Sequence, residues 1–362
     1  MASSEIAARR LCAQGISCSS STVHDAVSRI LALQAQERPS SLWAIGLRSL
    51  GSTVADVERA VTSGTIVRTW LMRGTLHFTA AEDVRWLIQL VAERVISRSR
   101  RRDEELGLDG RTYGRSRDVL TKALDSKGSL TRGEMMDALE KRSITTTGQR
   151  GYHILWHLAL TGTICFGPMT GREPSFVLLD DWVPASKGIT REEALGELAW
   201  RYFSGHGPAS ARDLMWWSGL PMGEVREGIE TASSRLIEEV HDDTTYFSAP
   251  SRAGTNGGSN VILLPAFDEY IIGYKERSAL LDREHTKDVL SSNGIFYPVL
   301  AINGRARGTW RGKRSKKGVV IEVSPFSRLT SSEIDSLERV VACYGAFLDV
   351  PVSTSFRNTE GA

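Results

Sequence analysis

GQRGYHILWHLALTGTICFGPMTGREPSFVLL, residues 148–179, is the stretch whose reading decides the fold. Residues 148–160 read as a helix, and Thr161-Gly162 stops its periodicity. Apolar runs at 163–166 and 175–179 flank Gly167-Pro168-Met169-Thr170-Gly171-Arg172, which gives a strand, a loop and a strand. Immediately upstream, 115–127 and 129–143 read as two more helices. In the second, Ser129 is placed to cap, and Leu130, Glu134, Met135, Ala138 and Leu139 recur at helical spacing. Three helices with a trailing hairpin is the order of a winged helix, a variant of the helix-turn-helix.

Working outward, the same order recurs on both sides. Helical segments at 190–203, 208–218 and 221–233 precede strands at 236–240 and 245–247. Helical segments at 3–14, 22–33, 40–48 and 54–62 precede strands at 65–69 and 75–78. Ser63-Gly64-Thr65-Ile66 and Thr161-Gly162-Thr163-Ile164 open two of the hairpins in nearly the same words, although two four-residue matches are too short to establish a repeat. Residues 251–260, crowded with Ser, Gly and Asn, read as a linker. Beyond it, strands at 261–264, 296–302 and 319–323 and an amphipathic helix at 331–346 form a strand-rich module. The expectation is an α+β chain in four segments: winged helices at 1–100, 101–185 and 186–250, and a C-terminal domain at 258–362.

The 362 residues, 41% of them hydrophobic, suit two to four soluble globular domains. A net charge of +2 and an isoelectric point near 8.3 are too mild to signal nucleic acid without local clustering. The four cysteines, Cys12, Cys18, Cys165 and Cys343, have neither metal-site nor disulfide spacing, so a reducing compartment fits. MASSEIAARR lacks the apolar core of a signal peptide, and no apolar run reaches the ~18 residues of a membrane span. The chain is expected to be cytoplasmic and nucleoid-associated, with no membrane contact.

Charge clusters at 303–318, where Arg305, Arg307, Arg311, Lys313, Arg314, Lys316 and Lys317 occur with no acid among them. Read as a glycine-punctuated loop between strands, this run suits phosphate contacts, with Trp310 available to stack or wedge; its alternative is a solvated hairpin. Arg94, Arg98, Arg100, Arg101 and Arg102 have acids close by and read equally as a solvated helix face. His153 and His157 share a helix face but lack a third ligand, so they are expected to face DNA or solvent. Trp156, Trp216 and Trp217 read as core.

Gln34 and Gln36 are two apart, and alternate residues share a side on an extended segment but not on a helix. Pro39 biases Arg38 away from helix, so the helix of 22–33 is expected to end near them. By spacing alone the pair either caps a helix end or is aimed together at something.

Gln34-Ala35-Gln36, the run Arg68-Thr69-Trp70-Leu71-Met72-Arg73-Gly74-Thr75-Leu76-His77, and Leu263-Leu264-Pro265-Ala266-Phe267-Asp268-Glu269-Tyr270 together resemble the bacterial winged-helix DNA glycosylases of the AlkZ/YcaQ type. Gln36 puts the chain on the AlkZ-like branch, since the other branch has aspartate there. The resemblance spans nearly the whole chain. It implies three tandem winged helices cradling DNA, with Gln34 and Gln36 catalytic and with Arg68, Arg73 and His77 contacting DNA. It implies no metal or cofactor, a monomer, and double-stranded DNA with alkylated bases as partner. Phe267-Asp268-Glu269-Tyr270, paired acids beside aromatics, reads either as the wall of a lesion pocket or as a strand-end turn with exposed carboxylates, and the turn is expected.

A glutamine amide has no useful basicity, so glycosidic hydrolysis by such a pair requires a base that leaves without protonation. Guanine alkylated at N7 is already cationic, and two amide carbonyls suffice to orient water and stabilise the developing sugar cation. No amine is available in the pair to form a Schiff base, so a monofunctional mechanism is expected. The rivals are a non-enzymatic winged-helix DNA-binding or regulatory protein and a catalytically silent relative that binds lesions.

Overall fold

The computed structural model describes residues 2–20, 22–185, 188–250, 261–316 and 318–357; the expected linker 251–260 and Lys317 lie outside them. The stretch 148–179 folds as a helix, Arg150–Leu160, and an antiparallel hairpin of Ile164–Thr170 and Glu173–Leu178. Gly162 ends the helix at φ 74°, where glycine has no Cβ penalty. The N–H groups of Gly162 and Thr163 donate to Ala159 and Leu158 carbonyls at 3.0 and 2.8 Å. Upstream lie the helices Gly110–Lys127, capped by Asp109, and Arg132–Glu140. The latter begins later than its apolar spacing predicts, because Leu130 and Thr131 pair with Phe176 and Ser175. Its cap is therefore Thr131, in a capping box with Glu134, and not Ser129.

The chain divides into two compact units, Met1–Val57 with Leu195–Ala362, and Glu58–Ala194. This division is coarser than the four expected segments, and its boundary at Val57 falls inside the first of them. In the unit Glu58–Ala194 the strands run Leu76–Ala80, Ile66–Trp70, Ile164–Thr170, Glu173–Leu178 and Leu130–Thr131 across the sheet. Arg68 pairs with Phe166, which joins the first hairpin to the second. Trp70, Phe166 and Phe176 pack over the join with centroids 5.1 and 4.5 Å apart.

The two similar tetrapeptides do the same work at equivalent places. Thr65 and Thr163 donate back to Ala60 and Leu158, and their carbonyls accept from Ala81 and Leu179, both at 3.1 Å. Gly64 and Gly162 both adopt positive φ, 70° and 74°.

The other unit contains the helices Ser3–Ala13, Val23–Ile30 and Arg38–Arg48, and the series Arg191–His206, Ala211–Ser218 and Met222–Ala232 followed by the hairpin Ile237–His241 and Thr244–Ser248. Its five-stranded sheet is ordered Val352–Phe356, Gly318–Pro325, Arg305–Ser315, Val299–Ile302, Val261–Leu264. The helix Ser331–Leu348 packs on it, and Trp43 of Arg38–Arg48 lies against Tyr344 and Phe347 at 4.8 and 5.3 Å. Trp43 also donates its indole N–H to the Leu263 carbonyl at 2.7 Å, which ties that helix to the edge strand Val261–Leu264.

Candidate active site

Gln34 and Gln36 sit between two helix ends. Leu31, at φ 69°, breaks away from Val23–Ile30, Leu33–Gln34 is extended, and Glu37 caps Arg38–Arg48 by accepting the Ser40 N–H at 2.8 Å. That cap makes Arg38 the first helical residue, against the bias expected from Pro39, and moves the extended position to Glu37. Leu33 and Ala35 are buried while Gln34 is half-buried and Gln36 exposed, so both glutamines fall on the side away from the core. No hydrogen bond engages the Gln34 side chain among the described residues.

The segment is fastened from beneath. Glu269 Oε1 accepts the Gln34 backbone N–H at 2.9 Å, and Oε2 accepts the Trp217 indole N–H at 3.0 Å with His206 Nε2 at 3.6 Å. Beside it, both oxygens of Asp268 accept from Arg48, at 2.8 and 2.9 Å. Arg48 also donates to Gln14 Oε1 at 2.6 Å, Gln14 Nε2 donates to the Tyr274 hydroxyl at 3.1 Å, and that hydroxyl donates to the His206 carbonyl at 2.8 Å. Burial pushes the phenols of Tyr202 and Tyr274 far above their ordinary range, so both remain neutral donors.

The expectation of exposed carboxylates at Asp268 and Glu269 is therefore overturned: each is 1% exposed. Asp268 caps the short helix Glu269–Ile272, accepting the Tyr270 N–H at 2.9 Å, and the turn at Phe267 (φ 57°) carries the chain straight from the buried strand back into the core. Charges this deep are tolerable only with full partners, which Arg48, Trp217 and the Gln34 N–H supply. The signal was present as two acids beside an apolar strand; the partners, from residues 14, 48, 206 and 217, are remote in sequence.

Residues 303–318 also differ from expectation. In place of a loop they give the alternative, a hairpin: residues 308–315 of the strand Arg305–Ser315 pair with Gly318–Pro325, and its first residues pair with Val299–Ile302. Its alternation turns Trp310 inward, 7% exposed and donating to the Leu264 carbonyl at 2.8 Å, so that ring is not available to stack. Acids from neighbouring elements meet the cations. Glu322 holds Arg311 and Lys313, Asp282 pairs with Arg305 at 2.5 Å, and Glu333 lies 3.5 Å from Arg307. The two cations beside it hold Glu322 down at about 2. Arg314 and Lys316 are exposed and have no acid partner among the described residues.

Arg68 is 8% exposed with its guanidinium 4.8 Å from the Phe166 ring centroid, and His77 is fully buried with Nδ1 2.9 Å from the Thr75 carbonyl. Both lie within the paired strands of one hairpin, Ile66–Trp70 and Leu76–Ala80. Arg73, at φ 56°, is half-buried. His153 and His157 are half-buried too: His153 lies 3.4 Å from Asp103, and His157 stacks on Tyr113 at 3.7 Å, beside a cavity of about 590 Å³. Among the described residues no group of three His, Cys, Asp or Glu could hold a metal ion, and no helix is long and apolar enough to cross a membrane. Arg101 and Arg102 pair with Glu105 on the helix Val84–Glu105. Trp156 and Trp217 are core, as expected, but Trp216 is 38% exposed.

The profile of the family described as DNA glycosylase AlkZ-like matches residues 27–347. The chain belongs to the AlkZ-like DNA glycosylase family. It is therefore an enzyme that hydrolyses N-glycosyl bonds of DNA, and the reading as a non-enzymatic regulator is set aside. A protein of Streptomyces sahachiroi described as interstrand DNA cross-link repair glycosylase is 26% identical over 333 residues, 88% of each chain. The solved structure of Streptomyces sahachiroi DNA glycosylase AlkZ superposes with a TM-score of 0.81 at 22% identity, covering 98% of this chain and 99% of that one, and shows a shared mixed α/β fold. The family match begins just ahead of Gln34 and takes in Glu269 and the basic strand.

Proposed function

We propose that this glycosylase excises alkylated purines, chiefly N7-alkylguanine, and unhooks interstrand crosslinks, with Gln34 and Gln36 as the catalytic pair. The observation that carries the reading is two glutamines on the outer side of one anchored segment, Gln34 at the end of the extended Leu33–Gln34 and Gln36 in the bend that leads to Glu37, whose neighbouring acids are all engaged. Asp268 is held by Arg48, Glu269 by Gln34 and Trp217, and Glu37 by its own helix start. A site so furnished orients water but supplies neither a proton to the leaving base nor a strong base to the water. The C1′–N9 bond of an N7-alkylated nucleotide breaks with its electron pair moving to N9, which neutralises the cationic base. The amide carbonyls stabilise the sugar cation, water adds at C1′, and its proton passes to solvent. The relative's description as a cross-link repair glycosylase supports extending the substrate to crosslinked guanines.

The three sets of helices with trailing hairpins support a reading as three winged helices that present this segment to the duplex, the protein acting as a monomer. Phosphate contacts fall to the exposed Arg314 and Lys316, to Lys317 and to Arg73, with Arg305, Arg307, Arg311 and Lys313 contributing as their acid partners allow. Arg68 and His77, buried as they are, support the two strands that flank the turn Met72–Gly74 carrying Arg73.

The test is single-turnover excision of N7-methylguanine by Gln34→Ala and Gln36→Ala. Each should slow by roughly 10²-fold, the typical loss for one preorganised polar group, with DNA affinity unchanged. Wild-type rates in both would remove the pair from the mechanism.

A further inference from the structure

His206 is the last residue of the helix Arg191–His206, and its ring is fully buried against Glu269. Both ring nitrogens face oxygen. Nδ1 lies 3.3 Å from the Tyr202 carbonyl, and Nε2 lies 3.6 Å from Glu269 Oε2. The other oxygen of that carboxylate accepts the Gln34 N–H at 2.9 Å, so one side chain links the ring to the catalytic segment. His206, Glu269 and Gln34 belong to the same compact unit. Tyr202 stacks on the imidazole at 4.6 Å, Trp217 and Tyr274 lie at 5.3 and 6.1 Å, and an added Cβ at Gly273 would meet ring Cδ2 at 2.9 Å. One residue before His206, Gly205 meets the Arg29 carbonyl with no room for a Cβ, which braces this helix against the end of Val23–Ile30.

A neutral imidazole carries one N–H and one bare lone pair. With the proton on Nδ1, the lone pair of Nε2 faces a carboxylate; with the proton on Nε2, the lone pair of Nδ1 faces a carbonyl. Either tautomer sets like dipoles against each other where burial strengthens the repulsion. The imidazolium, protonated on both nitrogens, donates to both oxygens. A proton on Glu269 would also relieve Nε2, but its two oxygens already accept from the Gln34 N–H and the Trp217 indole N–H, as an ionised carboxylate does. The surrounding charges pair in the same way, Arg48 with Asp268 at 2.8 Å and Arg10 with Asp213 at 3.9 Å. The two phenols beside the ring, pushed up by burial, stay neutral: Tyr202 donates to the Gly273 carbonyl at 2.7 Å and Tyr274 to the carbonyl of His206 itself at 2.8 Å.

We propose that His206 is a positioning residue of the glycosylase, buried as an imidazolium at neutral pH, whose charge holds the Glu269 carboxylate in the orientation that fixes Gln34. The proposal rests on the reading of Gln34 as a catalytic residue. A carboxylate this deep is tolerable beside a cation, and the cation in turn is tolerable beside the carboxylate. The ring gives no proton to the leaving base, since its two N–H groups are committed to Tyr202 and Glu269. It acts on the rate through one carboxylate, and the DNA-facing surface is left as it was.

The test labels the histidine rings with nitrogen-15 and compares wild type, His206→Gln and Glu269→Gln by magnetic resonance. It also measures single-turnover excision of N7-methylguanine and duplex affinity for the two variants and their combination. Signals that vanish in His206→Gln identify the ring; should that variant fail to fold, the ring is the one that changes in Glu269→Gln. In wild type both of its nitrogens should carry protons at neutral pH, and in Glu269→Gln one should lose its proton. A wild-type ring with a bare nitrogen overturns the proposal. His206→Gln should slow excision roughly tenfold, the scale of a displacement below an ångström, with duplex affinity unchanged. Because both substitutions act through one carboxylate, the combined variant should be no slower than the slower single, a coupling that a merely structural histidine would not show. Losses that multiply, or wild-type excision by His206→Gln, overturn the positioning role. A charged ring with wild-type excision by Gln34→Ala means that the catalytic reading fails and the ion pair stands; a neutral ring with slowed Gln34→Ala gives the reverse.

Discussion

The Arg48–Asp268 pair has both side chains fully buried, and its two parallel hydrogen bonds lock the turn that presents Glu269 to Gln34. Removing one partner leaves the other charged in the core, so Asp268→Ala should destabilise the fold by about 3–5 kcal/mol. The double replacement Arg48→Met with Asp268→Leu should cost less than the sum of the singles; a denaturant-melting cycle reads this, and additivity would mean that the pair is not coupled. Glu269→Gln is subtler. It preserves an acceptor for the Gln34 N–H but changes the group facing Trp217 and His206, so excision should fall more than duplex affinity does. At this scale the sequence was half legible. Gln34-Ala35-Gln36 could be picked out by resemblance, but Pro39 misplaced the extended position, which falls at Glu37 and not at Arg38, and the burial of Asp268 and Glu269 was hidden because their partners Arg48 and Trp217 are about 220 and 50 residues away in the chain.

Arg305–Ser315 shows how an element redefines its residues. Read as a run, the segment is a string of cations; read as a strand, it alternates, burying Ala306, Gly308 and Trp310 and facing Glu322 across the ladder. The DNA contribution should therefore concentrate in Arg314 and Lys316. Replacing both with alanine should flatten the dependence of log Kd on log salt by about two, whereas Arg311→Ala should change it less. Glu322→Gln should free Arg311 and Lys313 and steepen that dependence; since Glu322 is held at about 2, it is charged across the whole working pH range and no mild acidification mimics the variant. Elsewhere, the helix Arg38–Arg48 approaches Ser331–Leu348 so closely at Gly46 that an added Cβ would lie 2.5 Å from the Phe347 ring. Gly46→Ala should cost about 1–3 kcal/mol in thermal or denaturant melting. The helices and hairpins were legible because helical and strand periodicities are local. The strand nature of 305–315 was obscured because its glycines and charges are also what a loop contains, and only Trp310 marks the inward face.

Across the whole molecule, the internal likeness glimpsed in two tetrapeptides is carried by backbone bonding, with Thr65 and Thr163 making equivalent hydrogen bonds at the heads of adjoining hairpins. The sequence could suggest this pairing but not that the two hairpins share a sheet, since the single Arg68–Phe166 bridge is a contact between residues about 100 apart. What the assembled chain offers at Gln34 and Gln36 is hydrogen bonding and dipoles without an available acid, and the substrate should follow from that. A neutral base retains the part of the barrier that protonation would remove, and each 1.36 kcal/mol of it is about tenfold in rate. The most direct measurement is a panel of single-lesion duplexes carrying N7-methylguanine, uracil, 8-oxoguanine or unmodified guanine, assayed for alkali-labile abasic sites under single-turnover conditions. The account predicts excision of N7-methylguanine and none of the other three; efficient release of uracil, or no release of N7-methylguanine, would contradict it.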